Sequence, residues 1–276
     1  MNDYLFELIQ GNPDPNQSRN LIQEYLQARV LESLQGSGAM LPLAFRGGSA
    51  LRFLYGIPRY SEDLDFVLEK PIAGYNFRAY LKTIQRDLTA EGFHIEIKVN
   101  DQRALHSAFV TFYGLLNELN LPARPNEMIS VKIEVDTNPP PGATIDTTIV
   151  HRHVPLQIQH HDRASLLAGK MHAVLQRGIA KGRDLYDLMW YLSDPDWPEP
   201  NLIYLSNDLK QKNWQGPLPN PDNWRGILSD RLQVLDWKML SNDVRPFLES
   251  SQESDNLTLD NLSRLLYSSQ KASLLF

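Results

Sequence analysis

Hydrophobic periodicity along this chain is mixed up to about residue 160 and helical from there on. Before it, apolar and polar residues alternate in short runs. Phe93, Ile95, Ile97 and Val99 interleave with His94, Glu96 and Lys98, and Val131, Ile133 and Val135 interleave with Lys132, Glu134 and Asp136. A period of two places alternate side chains on opposite faces of a strand. Residues 64–68 (LDFVL), 107–113 (SAFVTFY), 145–150 and 154–159 read as further strands. Two helices break this half. Leu21, Ile22, Tyr25, Leu26 and Leu34 mark one, and Phe77, Tyr80, Leu81, Ile84 and Leu88 mark the other. From Asp162 onward the pattern is helical, and the leucines between Ile227 and Leu266 have core spacing. Segregated strands and helices predict an α+β chain with a small mixed sheet, followed by a helical domain. The expected division is 1–160, including an N-terminal helix, and 161–276.

Turn chemistry punctuates the chain at 11–18 (GNPDPNQS), 35–42 (QGSGAMLP) and 138–142 (NPPPG). The Pro-rich stretch 193–223 reads as a long ordered loop or lid. No internal repeat is present. No apolar run reaches the roughly 18–20 residues of a membrane span, and the N-terminus lacks the pattern of a signal peptide. The chain has no cysteine, which excludes disulfide scaffolds, cysteine zinc sites and cysteine nucleophiles and fits a cytoplasmic protein. The net charge of −6 disfavours non-specific wrapping of duplex DNA, although a local basic groove is compatible with it.

The chemistry concentrates in residues 45–68, FRGGSALRFLYGIPRYSEDLDFVL. Gly47-Gly48-Ser49 opens a helix expected over 50–55, where bare backbone N–H groups can cradle phosphate oxygens. Asp63 and Asp65 follow at the head of an apolar strand. At positions i and i+2 they share a side, with Cα atoms about 6.5 Å apart. Two carboxylates converging to about 4 Å repel by roughly 4 kcal/mol at an effective dielectric of 20, unless a cation lies between them or one is protonated. Mg²⁺ takes one or two carboxylates plus substrate phosphates, so a phosphate cradle beside an Asp pair suits two-metal phosphoryl chemistry. The competing reading is a solvated turn. It accounts for a lone Asp-x-Asp, but not for the apolar strand and the nearby Gly-Gly-Ser.

Gly48-Ser49 with Asp63-x-Asp65 resembles the first motif of the polymerase-β-type nucleotidyltransferase superfamily. The fuller strings, Arg46 to Arg52 and Arg59-Tyr60-Ser61-Glu62-Asp63-Leu64-Asp65-Phe66, resemble the AbiEii/AbiGii-type nucleotidyltransferase toxins of bacterial toxin–antitoxin and abortive-infection systems. The resemblance covers about residues 40–190. It implies a polymerase-β-like core, an NTP substrate, two Mg²⁺ ions, transfer of a nucleoside monophosphate to an acceptor such as a tRNA 3′ end, and a winged-helix antitoxin partner. No membrane partner is expected.

Two-metal transfer usually wants a third carboxylate, on a neighbouring strand, to hold the second metal or take the hydroxyl proton. Lys132, Glu134 and Asp136 share one face of 131–136. A solvated edge strand explains the same pattern. The resemblance places the acid at Glu134, with Asp136 as the alternative. Further on, Asp162 can cap a helix in which Lys170 lies among Leu166, Leu167, Met171 and Val174. Arg183-Asp184-Leu185-Tyr186-Asp187 follows. Asp184 and Asp187 share a helix face, and Arg183 and Asp187 have pairing spacing. On residues alone this is a salt-bridge lattice. The resemblance implies that Lys170 binds nucleotide phosphate and that Asp184, or Asp187 in its place, is the acid needed for activity. Arg59 and Ser61 are expected to brace the Asp turn beside the nucleotide.

Weaker signals are a histidine cluster at 151, 153, 160 and 161, expected on the surface or in a groove rather than on a metal, and Lys210, Lys212, Trp197, Trp214 and Trp224. Those aromatics could stack an RNA end but more simply pin a loop. Two other functions compete: a non-catalytic nucleotide-binding or partner-binding module of the same fold, and a nucleotidyltransferase for small molecules such as aminoglycosides.

Overall fold

The computed structural model describes residues 2–12, 14–69, 74–122 and 127–268. Pro13, in the expected turn 11–18, and 269–276, at the end of the expected helical half, lie outside the described residues. The chain forms two compact units. One comprises Met1–Gly56, Tyr60–Pro139 and Asp146–His160, and the other Ile57–Arg59, Pro140–Ile145 and His161–Phe276.

In chain order the strand-bearing half contains α1 (Asn2–Ile9), α2 (Pro15–Gly36), β1 (Leu43–Arg46), α3 (Gly47–Tyr55), β2 (Asp63–Leu68), α4 (Phe77–Ala90), β3 (Ile95–Asn100), β4 (Leu105–Phe112), α5 (Leu115–Glu118), β5 (Ile129–Asp136), β6 (Ile145–Arg152) and β7 (Val154–His161). The strands form one mixed sheet in the order β3-β4-β5-β2-β1-β7-β6. β2 is parallel to β5 and antiparallel to β1, and β4 is antiparallel to β3 and β5. On one face Leu64, Phe66, Ala108, Val110, Phe112, Val131, Ile133 and Val135 are buried, with α2 packed on β5 and α4 on β3. α2 is buried on several sides, as expected of a central helix. It begins inside the expected polar turn because the Asp14 side chain accepts from the Asn16 N–H and Pro15 takes the first helical position.

The second half contains α6 (Arg163–Gln176), α7 (Gly182–Ser193), α8 (Leu202–Gln211), α9 (Trp224–Gln233), α10 (Trp237–Val244) and α11 (Leu259–Ser268), with 3-10 turns at Arg245–Phe247 and Ser251–Asn256. Asp162 caps α6 through the Ser165 N–H, at 2.8 Å. The stretch 193–223 is not one loop. Asn201 caps α8 through the Tyr204 N–H, and Tyr204, Leu205 and Leu209 are buried. The prolines that suggested a loop only flank this helix. Two of the clustered histidines also depart from expectation, since His160 and His161 are buried. His160 Nε2 lies 2.9 Å from the Thr148 hydroxyl, and the His161 ring meets Tyr204 edge-on. Among the described residues no helix is long and apolar enough to cross a membrane.

Candidate active site

The face of the sheet opposite the apolar one collects the chemistry. Asp63 and Asp65 are half-exposed on either side of the fully buried Leu64, so their side chains share a face of β2. Asp63 is in register with Lys132 on β5, and Asp65 with Glu134. On the other side of β2, Asp65 is in register with Arg46, the last residue of β1. Arg46, in extended conformation, leads into α3 at Gly47. The helix therefore takes in Gly47, Gly48 and Ser49, three residues ahead of the expected 50–55.

Two contacts tie this turn to the Asp pair. The buried Ser49 hydroxyl donates to the Asp63 carbonyl. Gly47 has φ +80°, and a Cβ there would fall well under 3.0 Å from Asp65 Oδ2. Glycine is thus required twice, for the left-handed backbone and for the room the Asp65 carboxylate occupies.

A third brace was not read from the sequence. Gln27 Nε2 donates to the Ser61 carbonyl at 2.7 Å, and Gln23 Nε2 to the Glu62 carbonyl at 3.3 Å and the Ser130 carbonyl at 2.9 Å. These α2 side chains hold the residues just before Asp63. The only advance signal was their i, i+4 spacing on α2.

The electrostatics are those of a crowded carboxylate group. Burial pushes the Asp63 carboxyl up, and Asp65 and Glu134 push it further, against the pull of Lys132. Lys132 Nζ lies 2.7 Å from Glu134 Oε1. Burial would lower the Lys132 ammonium, but Glu134, Asp63 and Asp65 outweigh it and raise it. Asp136, the alternative to Glu134, is 3.8 Å from Arg46 Nη2. Among the described residues no three His, Asp or Glu side chains converge as a ready-made metal cage. Two carboxylates are what Mg²⁺ takes when substrate phosphates complete its shell.

The second unit holds a separate ionic cluster. Lys170 Nζ on α6 lies 3.2 Å from Asp184 Oδ1 and 2.7 Å from Asp187 Oδ2, both on α7. Arg177 Nη1 is 2.6 Å from Asp184 Oδ2. Asp187 is fully buried and receives Arg59 through two bonds, Nε to Oδ1 and Nη2 to Oδ2. Burial would raise the Asp187 carboxyl, but Arg59 and Lys170 outweigh it and hold it below the usual aspartate range. Arg183 lies over the Phe247 ring, 4.2 Å from its centroid. The structure thus places Arg59 on Asp187, and Lys170 between the two candidate acids.

A sequence profile described as the nucleotidyl transferase AbiEii toxin of type IV toxin–antitoxin systems matches residues 29–261. The chain belongs to the AbiEii nucleotidyltransferase toxin family. Solved structures with the same fold include a putative nucleotidyltransferase from Helicobacter pylori, at 18% identity and a TM-score of 0.55, covering 91% of this chain and 95% of that one. They also include MenT4, a nucleotidyltransferase toxin of Mycobacterium tuberculosis, at 16% identity and a TM-score of 0.53, covering 96% and 99%. No curated protein matches the sequence. The AbiEii-family assignment makes the protein a nucleotidyltransferase enzyme and implies a nucleotide substrate and an antitoxin partner.

Proposed function

We propose that this AbiEii-family enzyme transfers a nucleoside monophosphate from an NTP to an RNA acceptor, with a tRNA 3′ end as the leading candidate, in an Mg²⁺-dependent reaction that acts as the toxin of a cytoplasmic toxin–antitoxin pair. The observation that carries this reading is the Asp63–Asp65 pair on one face of β2, packed against the Gly47–Ser49 turn. Gly47, Gly48 and Ser49 present backbone N–H groups at the start of α3 to the triphosphate. Asp63 and Asp65 hold Mg²⁺, with Glu134 on the second ion or acting as base. Bound there, the ions supply charge neutralisation on the phosphates.

An acceptor hydroxyl oxygen forms a bond to the α-phosphorus while the bond from that phosphorus to the bridging oxygen of pyrophosphate breaks. With Glu134 as the base, the hydroxyl proton passes to its carboxylate, and pyrophosphate leaves with the electron pair. Lys132, 2.7 Å from Glu134, keeps that carboxylate oriented. Lys170 is assigned to the triphosphate and Asp184 to the accompanying acid role, on the family resemblance. The antitoxin partner is proposed to be a winged-helix protein.

Incubation with each α-labelled NTP, Mg²⁺ and total RNA tests the reading. Label in RNA, lost in Asp63→Ala, is the expected result. Label confined to protein or to an aminoglycoside, or NTP left intact in every mixture, overturns it.

A further inference from the structure

The register that assembles the Asp pair continues across the sheet, and an unexplained aromatic lies on it. Asp63 on β2 pairs with Lys132 on β5, Lys132 with Phe109 on β4, and Phe109 with Lys98 on β3. These four residues form one row on the polar face. The next row is Asp65, Glu134, Ser107 and Asn100. Phe109 is 44% exposed in a strand whose Val110 and Phe112 are buried. Packing does not account for an exposed Phe here, because the apolar core is on the opposite face. Leu105, on the same side of β4, is 49% exposed. Lysines flank the ring along the row, and Lys132 Nζ is 5.7 Å from its centroid. An exposed ring between two cations suits a nucleobase with its phosphates.

Position on the sheet decides which nucleotide. The Gly47–Ser49 turn leaves β1, on one side of β2, whereas β5 and β4 lie on the other. Attacking and leaving oxygens lie roughly in line on the reacting phosphorus. With pyrophosphate departing on the β1 side, the acceptor hydroxyl enters from the β5 side. Phe109 is two strand spacings from Asp63 in that direction, about 10 Å.

We infer that Phe109, flanked by Lys98 and Lys132, is the stacking platform for a base at the single-stranded end of the RNA acceptor. The inference rests on the nucleotidyl-transfer reading above and adds to it where the acceptor binds.

The test uses the full-length protein and a single-stranded RNA decamer carrying 2-aminopurine at its 3′ terminus, at fixed salt. The wild type and Phe109→Trp quench the fluorophore. Phe109→Ala and Phe109→Leu do not, and bind the RNA about 5- to 150-fold more weakly. NTP affinity, measured by calorimetry without RNA, stays unchanged in all variants, as does the melting temperature. Phe109→Leu retains the apolar bulk, so its loss of quenching isolates stacking from packing.

Equal RNA binding by Phe109→Ala overturns the inference. So does weakened NTP binding in its place, which would make the ring a donor-base contact. A change in oligomeric mass with RNA binding intact overturns it in favour of a protein interface. RNA binding and transfer are read separately. A quenched decamer without any transfer faults the enzymatic reading alone, and transfer indifferent to Phe109 faults the platform alone.

Discussion

Gly47→Ala tests the tie between the α3 turn and the Asp pair, and Gly56→Ala calibrates it. Both glycines have positive φ, +80° and +70°. A left-handed backbone costs a residue with a Cβ about 1–2 kcal/mol. In a chain of this size that lowers the melting temperature by roughly 2–4 °C per kcal/mol. The two sites differ in their surroundings. A Cβ at 56 meets nothing within 4 Å, whereas one at 47 meets Asp65 Oδ2 well inside contact and Asp65 Cβ and Cγ at 3.2 Å. Relief requires the Asp65 carboxylate to move by about 1 Å, and a misplacement of that size costs on the order of 100-fold in rate. Both variants therefore melt a few degrees early. Gly56→Ala transfers labelled nucleotide to RNA near the wild-type rate at 25 °C, and Gly47→Ala is slower by about two orders of magnitude. Equal rates in the two variants would refute the claim that Asp65 is positioned by the space at Gly47. So would a rate deficit that merely tracks melting temperature across both.

Asp63→Asn abolishes transfer yet raises the melting temperature at pH 7. The folded protein holds this carboxyl above its ordinary value of 3.8, so its ionised form opposes folding, and the gap between variant and wild type narrows as pH falls toward 3.8. Mg²⁺ stabilises the wild type in the same thermal assay but not the variant, and stabilisation of both would remove Asp63 from the metal. Lys170→Gln raises the KM for NTP if the ammonium meets phosphate, whereas an unchanged KM with a lower melting temperature would make it only a brace between α6 and α7. Asp187→Ala leaves Arg59 and Lys170 without their shared buried carboxylate and costs about 3–5 kcal/mol in urea unfolding, and a loss within error of zero would contradict the buried pairing. Glu24 is buried, which alone would raise it, but its bonds to His153 and Arg152 and the charge of Arg52 hold it at about 2 against an ordinary 4.5. That difference contributes about 3 kcal/mol at neutral pH, present above pH 4.5 and lost as pH falls toward 2, so Glu24→Gln is destabilised at pH 7 with a flatter acid limb.

What was legible in advance divides by whether a feature is local. The alternation at 131–136 and the i, i+2 spacing of Asp63 and Asp65 are properties of a few consecutive residues, and the structure has β5 and β2 there with those faces. β1 escaped because Leu43, Ala44 and Phe45 are all buried, which leaves no period to read in so short a strand. α8 escaped because flanking prolines outweighed a ten-residue helix whose buried side is only Tyr204, Leu205, Asp208 and Leu209. His160 and His161 looked like surface residues because burial of an imidazole depends on a distant partner, Thr148 or Tyr204. The same reasoning explains the site. Lys132 was visible as a neighbour of Glu134 on one strand, but its place beside Asp63 follows from the parallel pairing of β2 with β5, across 69 residues of chain. The placing of Arg59 on Asp187 spans 128 residues, and that of Gln27 on Ser61 spans 34. Motif residues announce a chemistry because their spacing is short. The residues that orient them, and the Phe109 platform beside them, become visible only when strand register brings remote segments into one row.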